Sequence, residues 1–167
     1  TKMLGQLQDA GNTVTVAHYL DLLDKAGMLC GIQKYDAKEV RRRKSSPRFM
    51  VYDTSLMTAS SGIEKSRYLG EPDLRGHLVE SAVGARLLAR ASEEGLGVYW
   101  WREGIKEVDF VVSKGFDSLS AIEVKSGKEK GQSGMADFLS AHPSAKRIVV
   151  GGAASGACGV EEFLKDE

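Results

Sequence analysis

The chain is 167 residues long, 42% hydrophobic and 28% charged, with a formal net charge of zero. These are the proportions of a globular protein that buries a core, in one domain or two small ones. They exclude a membrane-spanning helix, because no apolar run approaches the roughly 20 residues that a span requires.

The first residues lack the basic-then-apolar pattern of a signal peptide. Cys30 and Cys158 stand apart with no CxxC spacing, so both are expected as free thiols in a reducing cytoplasm. Charge is unevenly spread. Residues 1–70 carry 11 Lys/Arg against 7 Asp/Glu, net +4, and residues 71–167 carry 12 against 16, net −4. Such asymmetry fits two modules better than one uniform domain. The acidic half argues against tight nucleic-acid binding without a metal.

In chain order, the sequence opens at Thr1 in what reads as the middle of a domain, so a fragment of a longer protein is expected. Lys2 to Ala10 reads as a short helix closed by Gly11-Asn12. Residues 13–29 read as a second helix, with Thr13 or Thr15 as N-cap, Val16, Tyr19, Leu20, Leu23 and Ala26 at helical spacing, and Gly27 at the C-terminal end. Strands follow at 28–32 and 49–52, joined by a polar loop. Helix, turn, helix and two-stranded ribbon outline a partial winged helix over residues 1–62. Its loop holds Arg41, Arg42, Arg43 and Lys44, then Ser45-Ser46-Pro47-Arg48, which reads either as a phosphate-contacting wing or as a solvated tip. The helix that would read DNA presents His18, Asp21, Asp24 and Lys25. Two aspartates facing phosphates suit a protein-contact module better.

Residues 63–75 read as a linker leading to a second module at 76–167, since the stretch from Ser60 to Arg75 is rich in turn formers. Gly76 to Ala91 is predicted helical, with Glu80, Val83, Gly84, Leu87 and Ala91 on one stripe. Glu80 is an acid in an apolar line; its bland explanation is a helix-start carboxylate favoured by the macrodipole. Strands are predicted at 98–102, 106–113 and 119–125, a helix at 135–142, a strand at 147–150 and a last helix from Val160. Met135, Phe138 and Leu139 are expected in the core, and one of Trp100 and Trp101 in the core with the other at the surface.

The acids and the lysine inside these apolar segments carry the chemistry. Strict alternation places Val108, Phe110 and Val112 on one strand face and Glu107, Asp109 and Val111 on the other. It also points Glu123 and Lys125 away from Ile122 and Val124. Ionised groups in such settings are costly unless paired or metal-bound. Neighbouring strands presenting Asp109, Glu123 and Lys125 suit a divalent cation holding a phosphodiester, with the lysine near the attacking water. The alternative is an internal ion-pair network, which leaves excess negative charge around one lysine.

The element order with Glu80, Asp109 and Glu123-Val124-Lys125 resembles the PD-(D/E)XK nuclease-like superfamily. The run from Gly76-His77-Leu78-Val79-Glu80 through Tyr99-Trp100-Trp101-Arg102, Glu107-Val108-Asp109-Phe110 and Ile122-Glu123-Val124-Lys125-Ser126-Gly127 is similar to the DUF4143 domain, the C-terminal part of a family of prokaryotic AAA+-type ATPases. Thr15 to Leu23 and Pro47 to Asp53 resemble the same family.

The resemblance implies an α/β fold with a mixed sheet of the restriction-endonuclease-like αβββαβ type. It implies Mg²⁺ or Mn²⁺ on Asp109 and Glu123, Glu80 holding a second ion or a bridging water, and Lys125 orienting the water. Gln132 would be a polar helper, and Arg102 a phosphate contact or a strand-end charge. DNA is the implied partner. ATP would enter only through an N-terminal domain that this chain does not contain. The sequence has no GxxxxGK[S/T] pattern, so the chain itself is expected neither to bind nor to hydrolyse ATP. The opposing expectation is a non-catalytic module that binds DNA or protein and regulates the ATPase.

Overall fold

A computed structural model describes residues 13–36, 46–115, 118–126, 134–153 and 156–165. The expected helix over 2–10, the basic run Arg41–Lys44, Gln132 and the Gly127-Lys128 pair lie outside them. The elements are α1 (Thr13–Lys25), β1 (Leu29–Lys34), β2 (Arg48–Val51), α2 (Thr54–Ser61), α3 (Lys65–Gly70), α4 (Pro72–Glu94), β3 (Gly97–Glu103), β4 (Lys106–Lys114), β5 (Ser118–Lys125), α5 (Met135–Ala141), β6 (Lys146–Gly151) and α6 (Val160–Lys165).

All six strands join one mixed sheet in the order β2-β1-β3-β4-β5-β6. β3, β4 and β5 form an antiparallel meander, and β6 returns parallel to β5. β1 pairs antiparallel with β2 and, through Gln33 and Lys34, parallel with Tyr99 and Trp100 of β3. The amide of Tyr35 extends this joint by donating to the Trp100 carbonyl at 2.6 Å. The early hairpin is therefore an extension of the sheet that holds the later strands.

Two apolar layers cover the sheet. On one face α4 packs Val83 and Leu87 against Cys30, Ile32, Met50, Phe110, Ile122 and Val150. On the other, α5 brings Met135 and Phe138 onto Trp101, Val108, Val111 and Ala121. Phe138 is fully buried and stacks on His142 at 4.4 Å between ring centroids, with Trp101 edge-on at 5.5 Å. Because both faces are covered, the tryptophans do not split between core and solvent. Trp101 is buried against α5, and Trp100 packs partly buried in the α4 layer.

Three other expectations change. The stretch 63–75 read as a linker holds α3 and the start of α4, and α2 comes just before it: Asp53 caps α2 by accepting from the Ser55 amide at 2.8 Å, and Gly62 ends it with positive φ. Tyr68 of α3 is buried and donates to Ser61 Oγ at 2.9 Å. α4 starts at Pro72, not Gly76, because a proline at the first helical position loses no hydrogen bond and has its φ already set. The third change is the strand alternation. Val111 lies opposite Tyr99 but Val108 opposite Trp101, so Asp109 and Phe110 together face the single residue Trp100. This β-bulge resets the period. Val108 and Val111 consequently share the α5 layer, while Phe110 and Val112 pack towards α4.

Gly84 is the close-approach point of α4. A Cβ added there would meet the Phe110 ring at 3.0 Å and the end of the Met50 side chain. Gly84→Val is expected to destabilise the protein by about 2–3 kcal/mol, read as a lower urea midpoint at unchanged m-value. Gly84→Ala should cost less, since Met50 can swing aside.

Candidate functional site

The bulge aims Asp109. In the register of β4 and β5 the last backbone partners before it are Phe110 and Ile122. Beyond them the Val124 amide donates to Asp109 Oδ2 at 2.8 Å, so a carboxylate takes the place of a ladder carbonyl. Among the described residues no donor reaches Oδ1. Burial pushes the Asp109 carboxyl up from 3.8 to about 6. The Val124 amide opposes that rise, as does Arg48, whereas the neighbouring charges of Glu80 and Glu123 add to it. The charges of Glu80, Glu123 and Arg48 thus all act on one half-buried carboxylate.

Arg48 is the residue that sequence reasoning missed. Its sequence context reads as the end of a basic loop, but it begins β2 and is two residues before Met50, whose side chain is buried under α4. Period-2 alternation along β2 was the available signal, since it puts Arg48 on the same face as Met50. Its Nη1 donates to Glu80 Oε1 at 3.3 Å and to the Asp109 carbonyl at 3.4 Å. Its Nη2 pairs with Glu107 Oε1. The guanidinium lies over the Trp100 ring, 5.3 Å from the centroid.

Lys125 and Glu123 form the other half. Lys125 Nζ pairs with Glu123 Oε1 at 2.8 Å, and Glu123 is the better buried, 12% exposed against 28%. Lys125 lines a cleft of about 300 Å³ with Arg75 and Val79 of α4. Gly151 and Gly152, both at positive φ, let the end of β6 pass against Lys125. A Cβ on Gly152 would stand 3.0 Å from that of Lys125.

Glu80, Asp109, Glu123 and Lys125 thus gather at one end of the sheet. Glu107 joins them through Arg48, and Arg102 reaches only the far side of Glu107, at 3.9 Å, from an exposed position. His18, His77 and His142 sit on separate elements. The donor set is all carboxylate oxygen and contains no thiolate, which suits a hard divalent cation. Yet no three acidic, histidine or cysteine side chains among the described residues already form a metal cage. Arg48 and Lys125 hold the carboxylates in separate pairs.

Two family models match the chain. Residues 75–157 match the domain of unknown function DUF4143, and residues 3–67 match the domain of unknown function DUF8612. Neither a curated protein nor a solved structure matches. No helix among the described residues is long and apolar enough to cross a membrane.

Proposed function

Starting from the match of residues 75–157 to the DUF4143 model, we propose that the chain carries a nuclease-like site of the PD-(D/E)XK type, hydrolysing phosphodiesters of DNA with Mg²⁺ or Mn²⁺. The observation that supports this best is the gathering of Asp109, Glu123 and Lys125 where β4 and β5 part, with Glu80 opposite them on α4. In this reading Asp109 and Glu123 hold the cation. Bound there, a divalent ion supplies charge to the phosphate and acidifies water. Lys125 orients the attacking water and offsets charge on the phosphate, and its pairing with Glu123 sets its place. The N-terminal helix and hairpin serve as a winged-helix-like contact surface continuous with the sheet of the nuclease-like part, and the natural setting is the C-terminal part of a prokaryotic ATPase.

The test is cleavage of plasmid and single-stranded DNA in Mn²⁺ or Mg²⁺. Lys125→Ala should reduce the rate by about 10²–10³-fold while leaving the melting temperature close to that of the native protein. Equal nicking by both proteins would remove Lys125 from the chemistry.

A second reading, a non-catalytic regulatory module, is favoured by one observation: every site carboxylate but Asp109 is already in an ion pair. Native protein that binds Mn²⁺ but never cleaves would decide for it.

A further inference from the structure

Arg48 comes from the early hairpin, 32 positions before Glu80 and 61 before Asp109, and nothing in its own strand calls for an arginine. It is held on several sides: by Glu80, by Glu107, by the Asp109 carbonyl and by the face of Trp100. A guanidinium keeps its charge at all working pH values and presents a rigid fork that satisfies two carboxylates at once. Its side chain is 23% exposed and that of Glu80 is 29% exposed, so the pair is partly withdrawn from water. A surface lysine would contribute little in such a place.

We propose that Arg48 stands in for a second metal ion: it withdraws Glu80 from metal binding, so that the site takes one divalent cation, on Asp109 and Glu123. The inference rests on the metal-site reading above. Two geometric facts carry it. The arginine's contacts fall on Glu80, Glu107 and a backbone carbonyl, and not on the Asp109 carboxylate or on Glu123. The remaining two acids lie on neighbouring strands, Glu123 paired through Oε1 with the site's own Lys125 and Oδ1 of Asp109 clear of hydrogen-bond donors among the described residues. A fixed positive charge beside that pair also opposes the entry of a further cation near Glu80. Glu80 then acts as a positioning residue, holding the guanidinium, and not as a ligand.

The experiment is Mn²⁺ titration followed by the electron paramagnetic resonance of free Mn²⁺, on native protein, E80Q, R48M and the double variant R48M/E80Q, with D109N as the reference for loss. Native protein should bind one equivalent, and E80Q should still bind one equivalent with its affinity altered only a few-fold, the reach of a neighbouring charge that acts on Asp109 without ligating the ion. R48M should gain a second equivalent, which R48M/E80Q loses again. A drop of about tenfold or more in E80Q would make Glu80 a ligand and overturn the proposal while leaving the metal site intact. Failure of folded R48M to gain an ion would do the same. Since E80Q keeps Arg48, that arm stands even if R48M does not fold. Absence of Mn²⁺ binding in both native protein and R48M would overturn the proposal together with the metal-site reading.

Discussion

Asp109→Asn is expected to make the protein more stable at pH 7.5 while abolishing its affinity for Mn²⁺. The carboxyl lies at about 6 in the folded protein, chiefly because it is buried, against an ordinary 3.8. Between those two values the folded chain holds a proton that the unfolded chain has released. Stability from this group is therefore full below the ordinary value and is lost as pH rises through about 6. A two-unit displacement corresponds to at most about 3 kcal/mol, and relaxation around the charge reduces it. Asparagine keeps an oxygen to accept the Val124 amide and carries no charge to bury. At pH 7.5 the variant should gain about 1–2 kcal/mol, and near pH 4 the two proteins should coincide. Urea unfolding at both pH values measures it. A variant less stable at pH 7.5 would mean that Arg48 and the Val124 amide more than offset burial of the charge. The expected gain, by contrast, would make the native residue a case of stability given up for a site.

Phe110→Ala should be among the most damaging single substitutions outside the charged cluster. The ring is fully buried, sits in the α4 layer with Val83, Leu87 and Ile122, and fills the space that Gly84 leaves open. Truncating a buried phenylalanine costs about 3–5 kcal/mol, a large share of a domain's total stability. Phe110→Leu retains most of the volume and should cost less than about 1.5 kcal/mol. Denaturant unfolding of the two variants checks the ratio. The consequence reaches the site because Phe110 is the second residue of the bulge, and its burial is what turns Asp109 towards α4. A similar loss in both variants would show that ring shape, rather than filled volume, holds the bulge.

The position of Arg48 gives the early hairpin a part in the site. Among the described residues β1 joins β3 through two residue pairs and the Tyr35 amide, yet it carries β2 alongside and so brings the guanidinium over Trp100. A change that loosens this joint should be felt at Glu80 and Glu107 before it is felt in the meander. Hairpin and meander are linked through charge as well as through the ladder.

Much of the second half was legible in the sequence, because its signals are local. The stripe Val83, Gly84, Leu87 needs only helical periodicity, and the core faces of β5 and α5 need only their own spacing. Asp109, Glu123 and Lys125 were found as charges in apolar runs, which is a statement about desolvation and requires no partner strand. What the tertiary structure alone decided depends on pairing between distant segments. The bulge exists because β3 and β4 register differently on either side of Trp100, and no alternation within β4 reveals that. The extension of the sheet rests on hydrogen bonds between Gln33 and Lys34 and a strand more than sixty residues later. Arg48 belongs to the same class. Its residue type announced a positive charge, but only the fold, by setting β2 beneath α4, supplied the carboxylates that hold it.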